Sequence, residues 1–224
     1  MSDYVDLKRG NDVSLKDSHI TCDWQQMDEY ISKFFGKGVR VHSLLRSAVT
    51  VPLLSISGRP AVLLVEKKKD LPVHGGQVAF PGGKKEPHDA SPVDTALREF
   101  TEETGLPSDA LHVVGVMEPE LTYTTGYVIV PVVGIIERAD LLKRIKVDNN
   151  EISRVVLFFL DGADGQGLKF NLETLASDLG FSLLYPEFEL ESGLKIWGAT
   201  GRILFRVLAN SKQFFQGARE CQCH

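Results

Sequence analysis

Short apolar runs separated by turn residues dominate the pattern of hydrophobic and polar positions along the chain. Runs of this length, rich in β-branched residues and bounded by Gly, Pro, Asn or Ser, predict buried or half-buried strands. They cover residues 47–55, 61–66, 77–80, 111–117, 127–136 and 155–160. Gly58-Arg59-Pro60, between the first two runs, predicts a hairpin turn.

The C-terminal third of the chain has a less regular pattern. Residues 162–179 are polar and glycine-rich, and we expect an excursion from the fold there. Residues 181–197 alternate on both sides of Ser192-Gly193, which predicts a second hairpin. Residues 198–208 predict a helix. Its inward face carries Ile203, Leu204, Val207 and Leu208.

Near the N-terminus, one helix is predicted from Thr21 onward, after a polar and charged segment at residues 1–18. Its apolar positions recur near helical spacing: Trp24, Met27, Ile31, Phe34 and Phe35. An amphipathic helix buries its apolar stripe against another surface. Three interpretations are open: the helix packs onto the main domain, onto a second copy of the chain to give a homodimer, or onto a different protein.

A further helix is predicted between Ser91 and Gly105, with signals at both ends. Ser91 offers an N-cap hydroxyl, Pro92 occupies the first helical position, and Asp94 stands where a capping box needs an acid. Gly105 is placed to end the helix in the left-handed conformation. One face of this helix is apolar and carries Val93, Ala96, Leu97 and Phe100.

Glu99, Glu102 and Glu103 share a neighbouring face of that helix, and Arg98 lies four residues before Glu102. Carboxylates this close repel one another unless a cation lies among them, and carboxylate oxygens are ligands of Mg²⁺. A solvated acidic face is the alternative interpretation. The Pro81-Gly82-Gly83 loop favours the metal site, because glycine lets a backbone turn sharply and approach a diphosphate closely.

These residues resemble the signature of the Nudix hydrolases, a multi-position pattern of high specificity. The matching positions are Gly83, Arg98, Glu99, Phe100, Glu102, Glu103, Gly105 and Leu106. The intermediate acid is Asp89 instead of glutamate, and eight residues instead of seven separate it from Arg98. That spacing resembles the coenzyme A diphosphatase branch, as do the Gly-Gln-Val-any-Phe-Pro-Gly-Gly lead-in at residues 76–83 and the Thr-Ala-Leu-Arg-Glu run at residues 95–99.

The resemblance extends from about residue 47 to residue 208 and implies an α/β (α+β) fold, an α/β/α sandwich around a mixed β-sheet. Residues 46–210 are then the Nudix hydrolase domain, residues 1–45 an N-terminal extension with one amphipathic helix, and residues 211–224 a C-terminal tail. The resemblance also implies that Mg²⁺ or Mn²⁺ is held by three catalytic residues and that Arg98 orients them. These metal ligands are Glu99, Glu102 and Glu103.

Positions outside the signature are assigned roles by the same resemblance. Glu151 resembles an acid that Nudix enzymes place opposite the helix as a metal ligand or general base, and a solvated residue before a strand is the alternative. Glu120 and the helix glutamates compete for the role of base. The predicted substrate-binding residues are Lys67, Gly82, Gly83, Thr124 and Thr125. For the two threonines turn formation is the alternative, and for Lys67 a solvated basic loop.

One departure bears on the substrate. The coenzyme A branch usually has arginines at the position of Lys67 and just after Leu71, where this chain has Pro72. Lysine lacks the bidentate fork of arginine, so the departure weakens the coenzyme A assignment and leaves the hydrolase assignment untouched. His74 resembles the histidine of the family lead-in, and no proton-transfer role is assigned to it.

Three functions follow as hypotheses. The first is hydrolysis of the diphosphate bond of coenzyme A or acyl-coenzyme A to adenosine 3′,5′-bisphosphate and a 4′-phosphopantetheine product. The second is hydrolysis of another nucleoside diphosphate derivative, such as a nucleotide sugar, ADP-ribose or a dinucleotide. The third is a Nudix module that binds nucleotide or protein without catalysis. The intact set of glutamates disfavours the third, because a binding module has no use for a full metal site.

Composition narrows the partners. A net charge of −5 over 224 residues disfavours duplex nucleic acid, which needs a basic surface. Three cysteines, two of them in the terminal Cys-Gln-Cys-His, do not suffice for a disulfide framework and fit a reducing compartment. No apolar run has membrane-spanning length, and the N-terminus lacks the order of a signal peptide, so we expect a cytoplasmic protein without a membrane partner.

Overall fold

The computed structural model describes residues 23–35, 43–72, 75–122, 125–147, 150–165, 168–175 and 181–220. The helices are α1 (Trp24–Phe35), α2 (Pro92–Thr104) and α3 (Gly198–Glu220). The strands are β1 (Leu45–Ile56), β2 (Arg59–Lys67), β3 (Val78–Ala79), β4 (Gly82–Lys84), β5 (His112–Val116), β6 (Glu120–Leu121), β7 (Tyr127–Ile136), β8 (Ile152–Phe159), β9 (Lys169–Leu175), β10 (Phe181–Glu189) and β11 (Lys195–Ile196). The polar segment at residues 1–18, His74, Thr124 and the Cys-Gln-Cys-His tail lie outside the described residues.

Eight strands form one mixed sheet. Strands β1 and β2 form the predicted antiparallel hairpin, and β1 also pairs in parallel with β7 over the full length of β7. Strand β8 pairs antiparallel with β2, while β5 and β6 pair antiparallel with β7. Because the parallel pair β1–β7 lies among antiparallel pairs, the sheet is mixed, as the resemblance implies.

The two faces of this sheet carry different helices. Since side chains alternate along a strand, Val51 and Leu53 of β1 face one side, where they pack with Ile203 and Val207 of α3. Alternate positions on the other face pack with α1 and α2, through Trp24 and Phe100 among others. The predicted α/β/α sandwich is therefore confirmed. Over the described residues, none of the helices combines the length and apolar composition that crossing a membrane requires.

Helix α1 packs onto its own chain. Trp24, Met27 and Ile31 are buried together with apolar residues of β1, α2 and β7. Asp28 forms an ion pair with Arg46 of β1, and the backbone N–H of Trp24 donates to the carbonyl of Ala90, 3.2 Å away. Of the interpretations open for this helix, the structure therefore shows packing onto the main domain.

A short segment that contains β3 and β4 lies between β1 and β2 where these two strands diverge. The two strands pair only near their turn, from Leu53 to Ile56 on β1. Beyond that point β3 pairs with the end of β2, and β4 pairs with the start of β1, with Ala48 opposite Gly83. This arrangement places Gly82 and Gly83 at the level of the last residues of β2.

A second, three-stranded sheet forms from β9, β10 and β11 in antiparallel order. The hairpin predicted around Ser192-Gly193 is confirmed by the pairing of β10 with β11. Strand β9 lies within residues 162–179, where an excursion is predicted, and it lies outside the eight-stranded sheet. It pairs with β10 from Lys169 to Leu175 and was not predicted as a strand.

Candidate active site

Helix α2 begins and ends at the predicted residues. The Ser91 hydroxyl accepts a hydrogen bond from the backbone N–H of Asp94 (3.1 Å), and the Asp94 carboxylate accepts one from the N–H of Ser91 (2.9 Å). Gly105 has φ 67°, the left-handed conformation of a C-terminal glycine. Phe100 is fully buried, so the neighbouring, glutamate-bearing side of the helix has a fixed direction.

Arg98 contacts two of the three glutamates on this face of α2. Its Nη1 lies 2.9 Å from Oε1 of Glu99 and 3.0 Å from Oε2 of Glu102. Its Nη2 donates to the carbonyl oxygen of Lys84 at 2.9 Å. The predicted contact between Arg98 and Glu102 is therefore present, and the guanidinium also ties the helix to the glycine-containing segment.

Asp89 is the second partner of Arg98. Its side chain is almost completely buried, and its two oxygens accept hydrogen bonds from Nε and Nη2 of Arg98 at 3.3 and 3.2 Å. The backbone N–H of Glu86 also donates to it at 2.8 Å. Burial alone raises the pKa of Asp89, but these hydrogen bonds outweigh burial and hold the pKa below its usual value. Sequence reasoning treated Asp89 only as a departure in spacing, because a loop acid carries no local signal of burial.

Gly82 and Gly83 lie against the glutamates. A Cβ added to Gly83 would lie 2.5 Å from Cδ of Glu99, and one added to Gly82 would lie 2.5 Å from the carbonyl oxygen of Ala48. Both contacts are closer than a side chain tolerates. The N–H of Gly82 donates to Oε2 of Glu103 at 3.1 Å. The backbone of Gly82 and Gly83 is therefore in direct contact with the side chains of Glu103 and Glu99 on α2.

Lys67, at the end of β2, joins Glu103 to Glu151. Its Nζ lies 2.8 Å from Oε1 of Glu103 and 3.5 Å from Oε2 of Glu151. Burial lowers the pKa of Lys67, but the two ion pairs outweigh it and raise the pKa above the usual value. The backbone carbonyl of Glu151 accepts from the N–H of Lys68 at 2.9 Å, so Glu151 is anchored beside the end of β2. The structure thus brings Glu151 to the helix glutamates, opposite α2.

Burial raises the pKa of both Glu99 and Glu103, and the nearby cations offset this only in part. Carboxylates that are desolvated in this way gain from additional positive charge. Oxygen donors at this spacing fit a hard divalent cation such as Mg²⁺ or Mn²⁺. Within the described part of the chain, no three acidic, histidine or cysteine side chains form a preformed metal cluster. Arg98 and Lys67 lie among the glutamates instead.

Glu120 lies in a different environment. It stands opposite Ile129 in the β6–β7 pair, and Ile129 packs on the α3 side of the sheet. Its carboxylate accepts hydrogen bonds from Arg202 (2.6 Å) and Arg206 (3.1 Å) of α3. Glu120 thus joins β6 to α3 on the face of the sheet opposite α2.

The predicted substrate-binding threonines lie before β7. The hydroxyl of Thr125 is 2.7 Å from that of Thr122, within the turn that leads to Tyr127, whereas Thr124 is outside the described residues. The ammonium of Lys84, the residue after Gly83, lies 5.6 Å from the centre of the Tyr127 ring. Sequence reasoning missed this cation–π contact, which places the turn next to the glycine segment.

Two relatives and two solved structures show what the chain is similar to. It is 35% identical over 126 residues to the protein named "Uncharacterized Nudix hydrolase NudL" of Yersinia enterocolitica. The aligned region covers 54% of this chain and 64% of the relative. The chain is 43% identical over 91 residues to the protein of the same name from Yersinia pestis, covering 41% and 45%. The chain thus spans less than two thirds of the length of these relatives.

The solved structures are more distant. An Ap4A hydrolase of C. elegans is 17% identical, covers 55% of this chain and 85% of its own, and has a TM-score of 0.44. The Nudix hydrolase RenU of M. smegmatis is 20% identical, covers 54% and 74%, and has a TM-score of 0.44. Likeness at this level adds nothing to the fold given by the strand pairings.

The model of the NUDIX domain family matches residues 44–170, more than half of the 224-residue chain. The matched region contains the two glycines, the helix glutamates, Lys67 and Glu151. The chain belongs to the NUDIX domain family.

Proposed function

We propose that the protein is a divalent-metal-dependent hydrolase of a phosphorus anhydride and that its substrate is coenzyme A or acyl-coenzyme A. The observation that carries the hydrolase assignment is the contact of Gly82 and Gly83 with Glu103 and Glu99. Glycine is the residue that allows a backbone to approach carboxylates, and a ligand that they hold, this closely. Lys67, beside both Glu103 and Glu151, adds a cation within the same site.

Glu99, Glu102 and Glu103 are the residues that would hold Mg²⁺ or Mn²⁺. The metal would neutralise charge on the diphosphate and make an attacking water more acidic. Arg98 touches two of these glutamates and Asp89, and its role is to orient the carboxylates. Lys67 pairs with phosphate oxygens as negative charge builds up on the leaving phosphoryl group.

The reaction adds one water across the anhydride. The water oxygen forms a bond to one phosphorus, and the bond from that phosphorus to the bridging oxygen breaks. Glu151 or a helix glutamate accepts the water proton, and the bridging oxygen leaves with the other phosphoryl group. From coenzyme A the products are adenosine 3′,5′-bisphosphate and 4′-phosphopantetheine.

Coenzyme A is favoured by the sequence around the site. The lead-in at residues 76–83 and the spacing of Asp89 from Arg98 both resemble the coenzyme A branch. The contacts of Asp89 with Arg98 supply a physical reason for that spacing, since the longer loop delivers a buried carboxylate to the guanidinium. Lys67 and Pro72, where that branch has arginines, favour the second candidate, another nucleoside diphosphate derivative.

Product analysis tests both parts of the proposal. The full chain is incubated with Mg²⁺ or Mn²⁺ and with coenzyme A, acetyl-coenzyme A, ADP-ribose, a nucleotide sugar or a dinucleotide, and the products are identified by mass spectrometry. We expect kcat/KM for a coenzyme A substrate to exceed the others by about tenfold or more. A higher kcat/KM for another diphosphate would identify that compound as the substrate in place of coenzyme A. No turnover of any diphosphate would overturn the hydrolase assignment.

A further inference from the structure

The ammonium of Lys67 lies between two carboxylates that come from different parts of the chain. Glu103 belongs to the last turn of α2, and Glu151 precedes β8. The Lys67 side chain is 18% exposed and that of Glu103 only 4%. Because water is largely absent from this contact, the attraction between the two charges is stronger than at the surface.

The backbone fixes the position of all three groups. Lys67 pairs with Ile152 across an irregularity of the β2–β8 ladder that falls between Glu66 and Lys67. Irregularities of this kind redirect side chains and are common next to active sites. Glu103 accepts the N–H of Gly82 at Oε2 and the Lys67 ammonium at Oε1, so a second cation that approaches Oε1 meets the ammonium already bound there.

A metal ion and the Lys67 ammonium therefore compete for the same carboxylate oxygen. We propose that Lys67 is a built-in competitor of the divalent cation: it neutralises Glu103 and Glu151 before the metal binds and is displaced when the metal binds. This inference rests on the proposed function, because it takes Glu103 as a metal ligand. It adds that the Lys67 side chain contacts Glu103 before the metal binds and leaves that carboxylate afterwards.

Displacement of Lys67 couples metal binding to substrate binding. Once released from Glu103, the ammonium is available to a phosphate oxygen in the adjacent site. By thermodynamic reciprocity, a diphosphate that pairs with Lys67 removes the competitor and strengthens metal binding. The protein would then hold its metal weakly when no substrate is present.

Metal affinity measured without substrate tests the competition. The full chain is titrated with Mn²⁺ by isothermal titration calorimetry and electron paramagnetic resonance at about pH 8, where carboxylates are ionised. We expect Lys67→Met to bind Mn²⁺ about tenfold more tightly than the wild type, a coupling of ordinary size. Lys67→Arg, which keeps the charge, is expected to retain wild-type affinity.

Lys69→Met is the matched control, because it makes the same change of charge two residues away at an exposed side chain. We expect wild-type Mn²⁺ affinity for this variant. Equal tightening in both methionine variants would reveal a general charge effect and overturn the inference. Unchanged or weaker binding by folded Lys67→Met would overturn it as well.

Folding of Lys67→Met is followed by circular dichroism. If the variant unfolds without metal, recovery of a cooperative melt with Mn²⁺ supports the inference, and no recovery overturns it. If the wild type binds Mn²⁺ and Lys67→Met binds it no more tightly, this inference is wrong but the proposed function is unaffected. Tighter binding by Lys67→Met in a protein that hydrolyses no diphosphate defeats the proposed function alone.

Discussion

Two networks of charged side chains lie on opposite faces of the same sheet, and their charge balance differs. On the α2 face, among the described contacts, six carboxylates meet Arg98 and Lys67; they belong to Glu86, Asp89, Glu99, Glu102, Glu103 and Glu151. On the α3 face the carboxylate of Glu120 meets both Arg202 and Arg206. The first network has an excess of negative charge, and the second has its carboxylate fully paired.

The difference separates the proposed metal-binding site on the α2 face from a structural link on the α3 face. Removing one partner of a largely buried ion pair destabilises the fold, because the remaining charge loses its compensation. An excess of carboxylates destabilises the metal-free protein, because the negative charges repel one another. A divalent cation that binds among them relieves this repulsion. Substitutions on the two faces should therefore act on different quantities, the rate of hydrolysis on the α2 face and the free energy of unfolding on the α3 face.

The largest expected effect is that of Glu102→Gln. Removing one carboxylate from the proposed metal site should lower kcat by about 10³-fold, the loss typical for removing one group that stabilises transition-state charge. The side chain of Glu102 is 57% exposed, so the melting temperature without metal should change little. Steady-state kinetics and a thermal melt check the two parts. Retained activity in a folded variant would mean that the site is placed wrongly.

Gly83→Ala is expected to have the next largest effect. The new Cβ would meet the carboxylate of Glu99, which is the mobile end of a side chain and shifts away. A catalytic group displaced by about 1 Å lowers the rate by about 10²-fold. The matched control is Gly115→Ala, where an added Cβ meets nothing within 4 Å. Equal loss of kcat in the two alanine variants would argue against close approach as the cause.

Asp89→Asn tests the support of Arg98. The amide keeps the size of the side chain and loses the charge that pairs with the guanidinium. We expect metal affinity and kcat to fall by about tenfold each, as for other groups that hold ligand residues in place. Asp94→Asn, at the capping box of the same helix, is the control and should cost stability with kcat unchanged. If Asp89→Asn lowers stability alone, Asp89 has no positioning role.

The sequence predicts the parts of this site that depend on local signals. The caps of α2 depend on residues within one helical turn, so Ser91, Asp94 and Gly105 identify its ends. The sandwich was implied by the resemblance of the signature, not by the periodicity of the strands, and the packing of helices on both faces of the sheet confirms it. The roles of the glutamates, of Lys67 and of the threonines stay predictions until rates are measured.

Other features depend on contacts between distant segments and carry no local signal. The burial of Asp89 and the approach of Lys67 to Glu151 arise only when β2, β8 and α2 pack together. Strand β9, in contrast, was missed although its sequence does carry a local signal. Residues 169–173 alternate polar and apolar side chains, starting with Lys169, Phe170, Asn171 and Leu172, which is typical of a strand, but the predicted excursion covers residues 162–179 as one polar, glycine-rich segment.

Glu120→Gln has the smallest expected effect on catalysis and gives the sharpest contrast between the faces. The amide removes the negative charge that Glu120 presents to Arg202 and Arg206, and the loss of a hydrogen-bonded charge partner costs about 1–3 kcal/mol of unfolding free energy. Urea denaturation measures this cost. Asp140→Asn breaks an exposed ion pair with Arg138 and serves as the control, with no measurable change expected. Since Glu120 faces α3, kcat and Mn²⁺ affinity of the folded variant should equal those of the wild type. A fall in kcat comparable with that of Glu102→Gln would remove the distinction between the two faces and restore Glu120 as a candidate base.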